Sequence, residues 1–238
     1  MERFDGKLVA ITGVGRAGQV GEMLAQRFAQ LGATVALMDR DEQALQERAA
    51  DLKRAGHKVI AVTTDLTNPD AVASAAAQIT DKGKTPLHAL VAAAGGFAMS
   101  GPVAESDFTA WQQQLQISLI TAYLATRAFL PALRAARGSI VYFASAAALP
   151  GAKTASMSAY AVAKAGVLAL MQAVSQEERG NGVRANALAP TSIRTAANVS
   201  AMGANQAYVE RESVADAVQW LASDGARDVT GQVIRLGA

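Results

Sequence analysis

Short apolar runs alternate along this chain with longer segments of helical period: KLVAIT, GEMLAQRFAQLG, ATVALMD, DEQALQERAADLKRAG and HKVIAVTTD follow one another without a break. Runs so short and so uniformly apolar read as strands covered on both faces, and the amphipathic segments between them as the crossovers that parallel strands require. The alternation continues with an Ala-rich helix after Asn68-Pro69, a strand at LHALVAA and a long helix ending near LPALRAA. A strand at GSIVYFAS, a helix over 158–178, strand VRANALA, helix ESVADAVQWLAS and strand GQVIRLG complete it. The expected fold is α/β: a doubly wound parallel sheet of about seven strands with helices on both faces. No Pro/Ser-rich linker and no fixed-period repeat marks a boundary, so 1–238 reads as a single domain.

Composition removes several function classes. Hydrophobic residues make up 51% and charged residues 18%, which excludes disorder. Lys+Arg number 22 against 20 Asp+Glu, and the basic residues are scattered, so a nucleic-acid footprint is missing. Without cysteine there is no disulfide, thiol nucleophile or Cys-ligated metal, and His57 and His88 are too few for a typical zinc site, so metal-free chemistry is expected. The opening MERFDGKLVAITG lacks the basic region and apolar core of a signal peptide, which predicts a cytoplasmic protein. Two uncharged stretches, 85–104 and 108–126, are broken by Gly and Pro or carry glutamines, and neither reads as a membrane span.

The run TGVGRAGQVG lies between the first strand and the first helix and contains Gly13-x-Gly15-x-x-Gly18, with a further Gly21. Glycines there permit a tight turn and let backbone N–H groups approach a pyrophosphate at the positive end of a helix. Gln19 stands where a P-loop needs Lys, which disfavours NTP hydrolysis. Asp39 ends the second strand, 21 residues after Gly18, where a carboxylate can accept hydrogen bonds from an adenosine ribose and repel a 2′-phosphate. NAD(H) is therefore favoured, while Arg16 and Arg40, either able to pair with a 2′-phosphate, keep NADP(H) open. Asp41 reads as the N-cap of the next helix.

Tyr160 and Lys164 stand four apart on a predicted helix and so share a face. A nearby ammonium is expected to lower the phenol pKa and make it a general acid/base for a carbonyl or alcohol. Ser145, at the end of the preceding strand, is placed to meet that phenol at the carboxyl edge of the sheet, where open α/β folds bind ligands. His57 and His88 fall at strand starts, the wrong edge for catalysis, and read as structural or exposed.

With these pieces in order, the sequence resembles the short-chain dehydrogenase/reductase family along nearly its whole length, on TGVGRAGQVG, Asp39, Asp65-Leu66, AAAG, Ser145, YAVAK and NALAPTSIRT. The resemblance implies a Rossmann-like fold and a hydride transferred between nicotinamide and substrate carbon. In it Tyr160 acts as acid/base, Ser145 orients the substrate oxygen and Lys164 holds the nicotinamide ribose. It further implies cofactor contacts from Gly13, Gly15, Arg16, Gly18 and Val20 in the glycine turn, from Asp39 and Arg40, from Asp65 and Leu66 near adenine, and from Ala93, Ala94 and Gly95. Pro190, Ile193 and Thr195 match the stretch that meets the carboxamide end of nicotinamide.

The chain also departs from that pattern. The glycine turn carries two residues more than T-G-x-x-x-G-x-G, with Gly13, Gly18 and Gly21 as counterparts. The family's N-N-A-G reads Ala92-Ala93-Ala94-Gly95, Ser118 replaces the catalytic Asn on the long helix, Thr191 replaces the Gly after Pro190, and the gap from Ser145 to Tyr160 is long. Between Thr195 and the helix starting near Glu212 the substrate lid is truncated, which predicts an open pocket or one completed by a partner subunit. AAAGGFA, Ser118 and the short tail together are similar to the NADH-dependent dihydropteridine reductase branch, from which Ser145 differs.

The expected function is an NAD(P)-dependent oxidoreductase of carbonyl or alcohol substrates. The alternatives are a quinonoid dihydropteridine or quinone-type reductase, and a catalytically weakened dinucleotide-binding regulatory protein. Small-molecule substrates are the expected partners, along with self-association as tetramer or dimer through helices near 108–135 and 157–178. Phe97, Met99, Leu149, Met157 and Met202 read equally as pocket lining and as ordinary core or loop residues.

Overall fold

The computed structural model describes residues 2–237, and every strand in them joins one seven-stranded, wholly parallel sheet. The strands are β1 (Leu8–Thr12), β2 (Thr34–Asp39), β3 (Val59–Thr63), β4 (Ala89–Ala92), β5 (Ser139–Phe143), β6 (Arg184–Pro190) and β7 (Val233–Leu236), in the order β3-β2-β1-β4-β5-β6-β7. Wholly buried strands such as LVAIT and SIVYF explain why they read as continuous apolar runs rather than alternating ones.

Successive residues of one strand serve opposite faces. Leu8 and Ala10 join a core with α3 (Pro69–Ile79), α5 (Thr121–Ala136) and α6 (Ser158–Glu177), whereas Val9 and Ile11 join another with α1 (Val20–Gln30), α2 (Glu42–Arg54) and α8 (Arg211–Ala222). Two further helices, α4 (Phe108–Leu115) and α7 (Ala196–Met202), contribute no residue to either core. Local chemistry starts the helices where the sequence suggests: the Asp41 carboxylate accepts the Ala44 N–H at 3.0 Å, and Asn68 caps α3 with Pro69 in its first turn.

The long helix near 108–135 is not uniform. A π-turn over Gln116–Ile120 separates α4 from α5, and it contains Ser118. Such turns insert one extra residue per helical repeat and re-aim the side chains they carry. The helix α6 is long and apolar enough in composition to cross a membrane, yet Ala163, Val167, Met171 and Val174 pack it into this core.

The chain winds outward from β1 toward β3 and, in the other direction, from β4 toward β7, so the winding reverses between β1 and β4. The carboxyl ends of those two strands therefore open a crevice, the place where doubly wound sheets take ligands.

Candidate functional site

Both lips of the crevice are built from small residues. Thr12 binds them together, its hydroxyl accepting the Ala94 N–H at 3.0 Å and reaching the Val91 carbonyl at 3.5 Å. Gly13 follows at φ +78, with its N–H on the Met38 carbonyl, and a Cβ there would stand 2.8 Å from the Ala94 Cα. A Cβ at Gly21 would stand 2.1 Å from the Gly13 carbonyl oxygen, so the first turn of α1 presses against the end of β1.

The glycine turn is tied to the end of β2 through Asp39. Its carboxylate accepts the Gly15 N–H at 2.8 Å and the Asp41 N–H at 3.1 Å, and any side chain at Gly15 would collide with it. Arg16 and Arg40 are exposed beside it. Gln19 gives α1 no side-chain cap, which leaves the amides of Val20 and Gly21 facing the crevice, whereas the Gly18 N–H is taken by the Glu22 carboxylate at 2.7 Å. The uncapped helix start, the side-chain-free turn and the adjacent carboxylate fit a dinucleotide: pyrophosphate on the helix, ribose on Asp39. Asp65 is exposed, its carboxyl held below the ordinary range by the hydroxyl and N–H of Thr67, and Leu66 beside it is buried.

Across the crevice, Tyr160 and Lys164 share one face of α6, with the Lys164 ammonium 5.9 Å from the Tyr160 ring centroid. Ser145 lies close enough to the phenol to lower its pKa in part. It does not end β5, as the sequence suggested, but lies two residues beyond it, where its hydroxyl accepts the Ala147 N–H at 3.2 Å and caps a one-turn helix. Lys164 is 5% exposed and donates to the Phe143 carbonyl at 2.7 Å. Burial brings its ammonium down to about 8 from the ordinary 10.5.

The expected lowering of the phenol pKa is overturned here. Burial raises Tyr160 above its ordinary value, and the nearby Ser145 only offsets part of that. The physical reason is distance and commitment: the ammonium lies behind the ring rather than on the hydroxyl, and one of its protons is spent on Phe143.

Ser118, Lys164 and Gly95 converge. A Cβ at Gly95 (φ +156) would lie 3.4 Å from the Lys164 Nζ and 3.5 Å from the Ser118 Oγ, so only glycine leaves that space open. Sequence reasoning missed Gln114. It is buried, and its amide donates to the Gly96 carbonyl at 2.6 Å and the Ser118 hydroxyl at 3.0 Å. The one available signal was spacing, since Gln114 and Ser118 are four apart on a helix.

Past β6, which Pro190 ends, Ile193 pairs with Val209 in a single bridge and Thr195 caps α7, its hydroxyl accepting the Asn198 N–H at 3.1 Å. The Ala196 N–H then reaches the Gly18 carbonyl at 3.1 Å, closing a recess of about 310 Å³ between the glycine turn, α7 and the start of α8. The lid is short but folded. Arg194 pairs with Glu210 at 2.7 Å and lies 4.8 Å from the Tyr208 ring centroid, while the Tyr208 hydroxyl donates to the Gly203 carbonyl at 2.6 Å. His88 lies at the far edge, where its Nδ1 accepts the Leu8 N–H at 3.2 Å, and is structural as expected.

Residues 13–237 match the family described as Enoyl-(Acyl carrier protein) reductase. The chain is 34% identical to the cis-4-hydroxycyclohexanecarboxylate dehydrogenase of Sinomonas cyclohexanicum, covering 98% of this chain and 96% of that protein. It is 30% identical to the L-tagatose-forming galactitol 2-dehydrogenase of Cereibacter sphaeroides, covering 98% and 94% respectively. Among solved structures, a short-chain type dehydrogenase/reductase from Mycobacterium ulcerans superposes with a TM-score of 0.88 at 29% identity, over 98% of this chain and 89% of that one.

Proposed function

The chain belongs to the short-chain dehydrogenase/reductase family and is an NAD(P)-dependent oxidoreductase; on that premise we propose that it interconverts a secondary alcohol and a ketone with NAD(H), using Tyr160 as its acid/base. The observation that carries this is the meeting of Ser145, Tyr160 and Lys164 at the mouth of the crevice, across from Asp39 and the glycine turn.

Bound nicotinamide supplies or accepts the hydride. The chain's own residues do the rest. Ser145 holds the substrate oxygen beside the Tyr160 hydroxyl, and the phenol gives its proton to that oxygen as a carbonyl is reduced, or takes it as an alcohol is oxidised. With its phenol raised by burial, Tyr160 starts in the protonated form suited to reduction. Lys164 would hold the nicotinamide ribose, with the Ser118 hydroxyl near its ammonium. Pro190, Ile193 and Thr195 would hold the nicotinamide end, Ala93, Ala94 and Gly95 would back it, and Asp65 and Leu66 would meet the adenine.

NAD(H) is preferred because Asp39 would meet the ribose with a carboxylate fixed by two backbone amides, whereas Arg16 and Arg40 are exposed and Arg40 is drawn toward the Asp65 carboxylate. The protein works in the cytoplasm as a homo-oligomer, dimer or tetramer, a reading supported by Phe108, Tyr123 and Val162, exposed on α4, α5 and α6. Titration with NADH and NADPH followed by nicotinamide fluorescence tests the cofactor reading. Tight NADH and weak NADPH binding is expected, and tighter NADPH binding contradicts it.

A further inference from the structure

We propose that Phe97 is a specificity-determining wall of the substrate site, and that the substrate is an alicyclic or aromatic secondary alcohol, or the matching ketone, with an apolar ring body. This rests on the oxidoreductase reading above and names the substrate class of the same site.

Phe97 lies two residues past Gly95 on the loop after β4, and its ring meets that of Tyr160 edge to face, centroids 5.0 Å apart and planes at 86°. Ordinarily a phenylalanine in such contact buries itself, but Phe97 is 56% exposed and Met99 58%. The Phe97 ring thus stands open to solvent beside the phenol that handles the reacting oxygen, with Met99 exposed two residues further along the same loop. Apolar surface left uncovered at a reactive centre marks where an apolar ligand sits. The right angle between the rings makes a corner: an oxygen directed at Tyr160 places the carbon skeleton against the face of Phe97, which a flat or cyclic body covers best.

The wall is fixed at both ends. On one side Gln114 holds the Gly96 carbonyl at 2.6 Å. On the other, the N–H groups of Ser100 and Gly101 both donate to the Ser156 carbonyl, at 2.8 and 3.0 Å, just ahead of α6. Ser156 itself adopts φ +60, a left-handed conformation that a serine holds only when its surroundings impose it. The Ser100 hydroxyl lies 3.4 Å from that of Ser158, to which the Trp111 indole also donates at 3.3 Å. The Gly96 carbonyl and the Ser100 and Ser158 hydroxyls are therefore engaged with neighbours, and the Phe97 ring itself offers a polyol no hydrogen bond in exchange for the water its hydroxyls lose.

The test compares cyclohexanol and 1-phenylethanol with galactitol and 2,3-butanediol as substrates for the full chain, in wild type and in Phe97→Ala and Phe97→Leu. Wild type is expected to favour the ring alcohols. In Phe97→Ala the ring-to-polyol ratio of kcat/KM falls about tenfold, through KM, on the scale of lost apolar contact in a pocket; Phe97→Leu, still apolar but not flat, lies between. NADH affinity is expected to stay unchanged in both. A wild-type preference for polyols, or an equal loss on both substrate classes, overturns the inference and leaves the oxidoreductase reading standing. Absence of turnover with every alcohol and ketone, despite NADH binding, removes that reading and this one with it.

Discussion

The carboxylate of Asp39 accepts the backbone N–H of Gly15 at 2.8 Å, so the residue proposed to meet the adenosine ribose also holds the glycine turn. Cofactor choice and loop shape are therefore linked through one side chain. In Asp39→Asn the amide oxygen still accepts the Gly15 N–H while the charge is gone. Hydrogen bonds to charged groups contribute about 1.5–3 kcal/mol, so NADH affinity should fall roughly tenfold to a hundredfold. NADPH affinity should rise, because Arg16 and Arg40 remain and the repulsion does not. Fluorescence titration checks this, and unchanged preference in Asp39→Asn would show that the carboxylate does not select the cofactor.

Lys164 costs the free protein stability. Its pKa is about 8 folded against 10.5 for the ordinary side chain, so between those values the native state has released a proton that the unfolded chain keeps. Stability therefore rises with pH across that window, and below pH 8 the whole cost, about 3 kcal/mol, is present. Replacing Lys164 by Met removes it but orphans the Phe143 carbonyl, at a cost of about 1 kcal/mol. Lys164→Met should thus be more stable than wild type by about 1–2 kcal/mol at pH 7, lose that advantage toward pH 10.5, and lose turnover. Urea unfolding at several pH values measures the gap. A destabilised variant at pH 7 would mean that Lys164 is stabilised by contacts stronger than its burial penalty.

Gln114 donates to the Ser118 hydroxyl at 3.0 Å and is expected to act through it. Gln114→Leu leaves the Ser118 hydroxyl and the Gly96 carbonyl without their shared donor, and kcat should fall about tenfold with little change in KM. Ser118→Ala should do the same, and the double variant should lose no more than either alone, since the pair works as a unit. The pH profile of kcat distinguishes positioning from mere support of the fold: it should shift in both single variants and alike. Additive losses with an unmoved profile would assign Gln114 a structural part only.

Much of this was legible before any coordinates, for physical reasons. Strands buried on both faces leave apolar runs such as LVAIT, helix starts leave Asp41 and Asn68-Pro69, and a phosphate turn leaves glycines at β1 because no side chain fits. What stayed hidden depends on three-dimensional contact between distant or ambiguous residues. Gln114 is one of four glutamines in QQQLQ, and nothing in that run shows which one turns inward. The truncated lid reads as an open pocket or one completed by a partner subunit, and nothing in that reading shows that Arg194 pairs with Glu210 and Tyr208 or that Ile193 bridges to Val209. The direction of the Tyr160 shift was misread because spacing on a helix gives the neighbour but not the burial.

The central claim is that Tyr160 passes the proton in a nicotinamide-dependent reaction, and the most direct measurement is NADH oxidation at 340 nm with a cyclic ketone, wild type against Tyr160→Phe. A positioned general acid contributes about a hundredfold to ten-thousandfold, so the variant should lose that much kcat while binding NADH as tightly as wild type. Full turnover in Tyr160→Phe would contradict the account, since the same ring without its hydroxyl would then suffice.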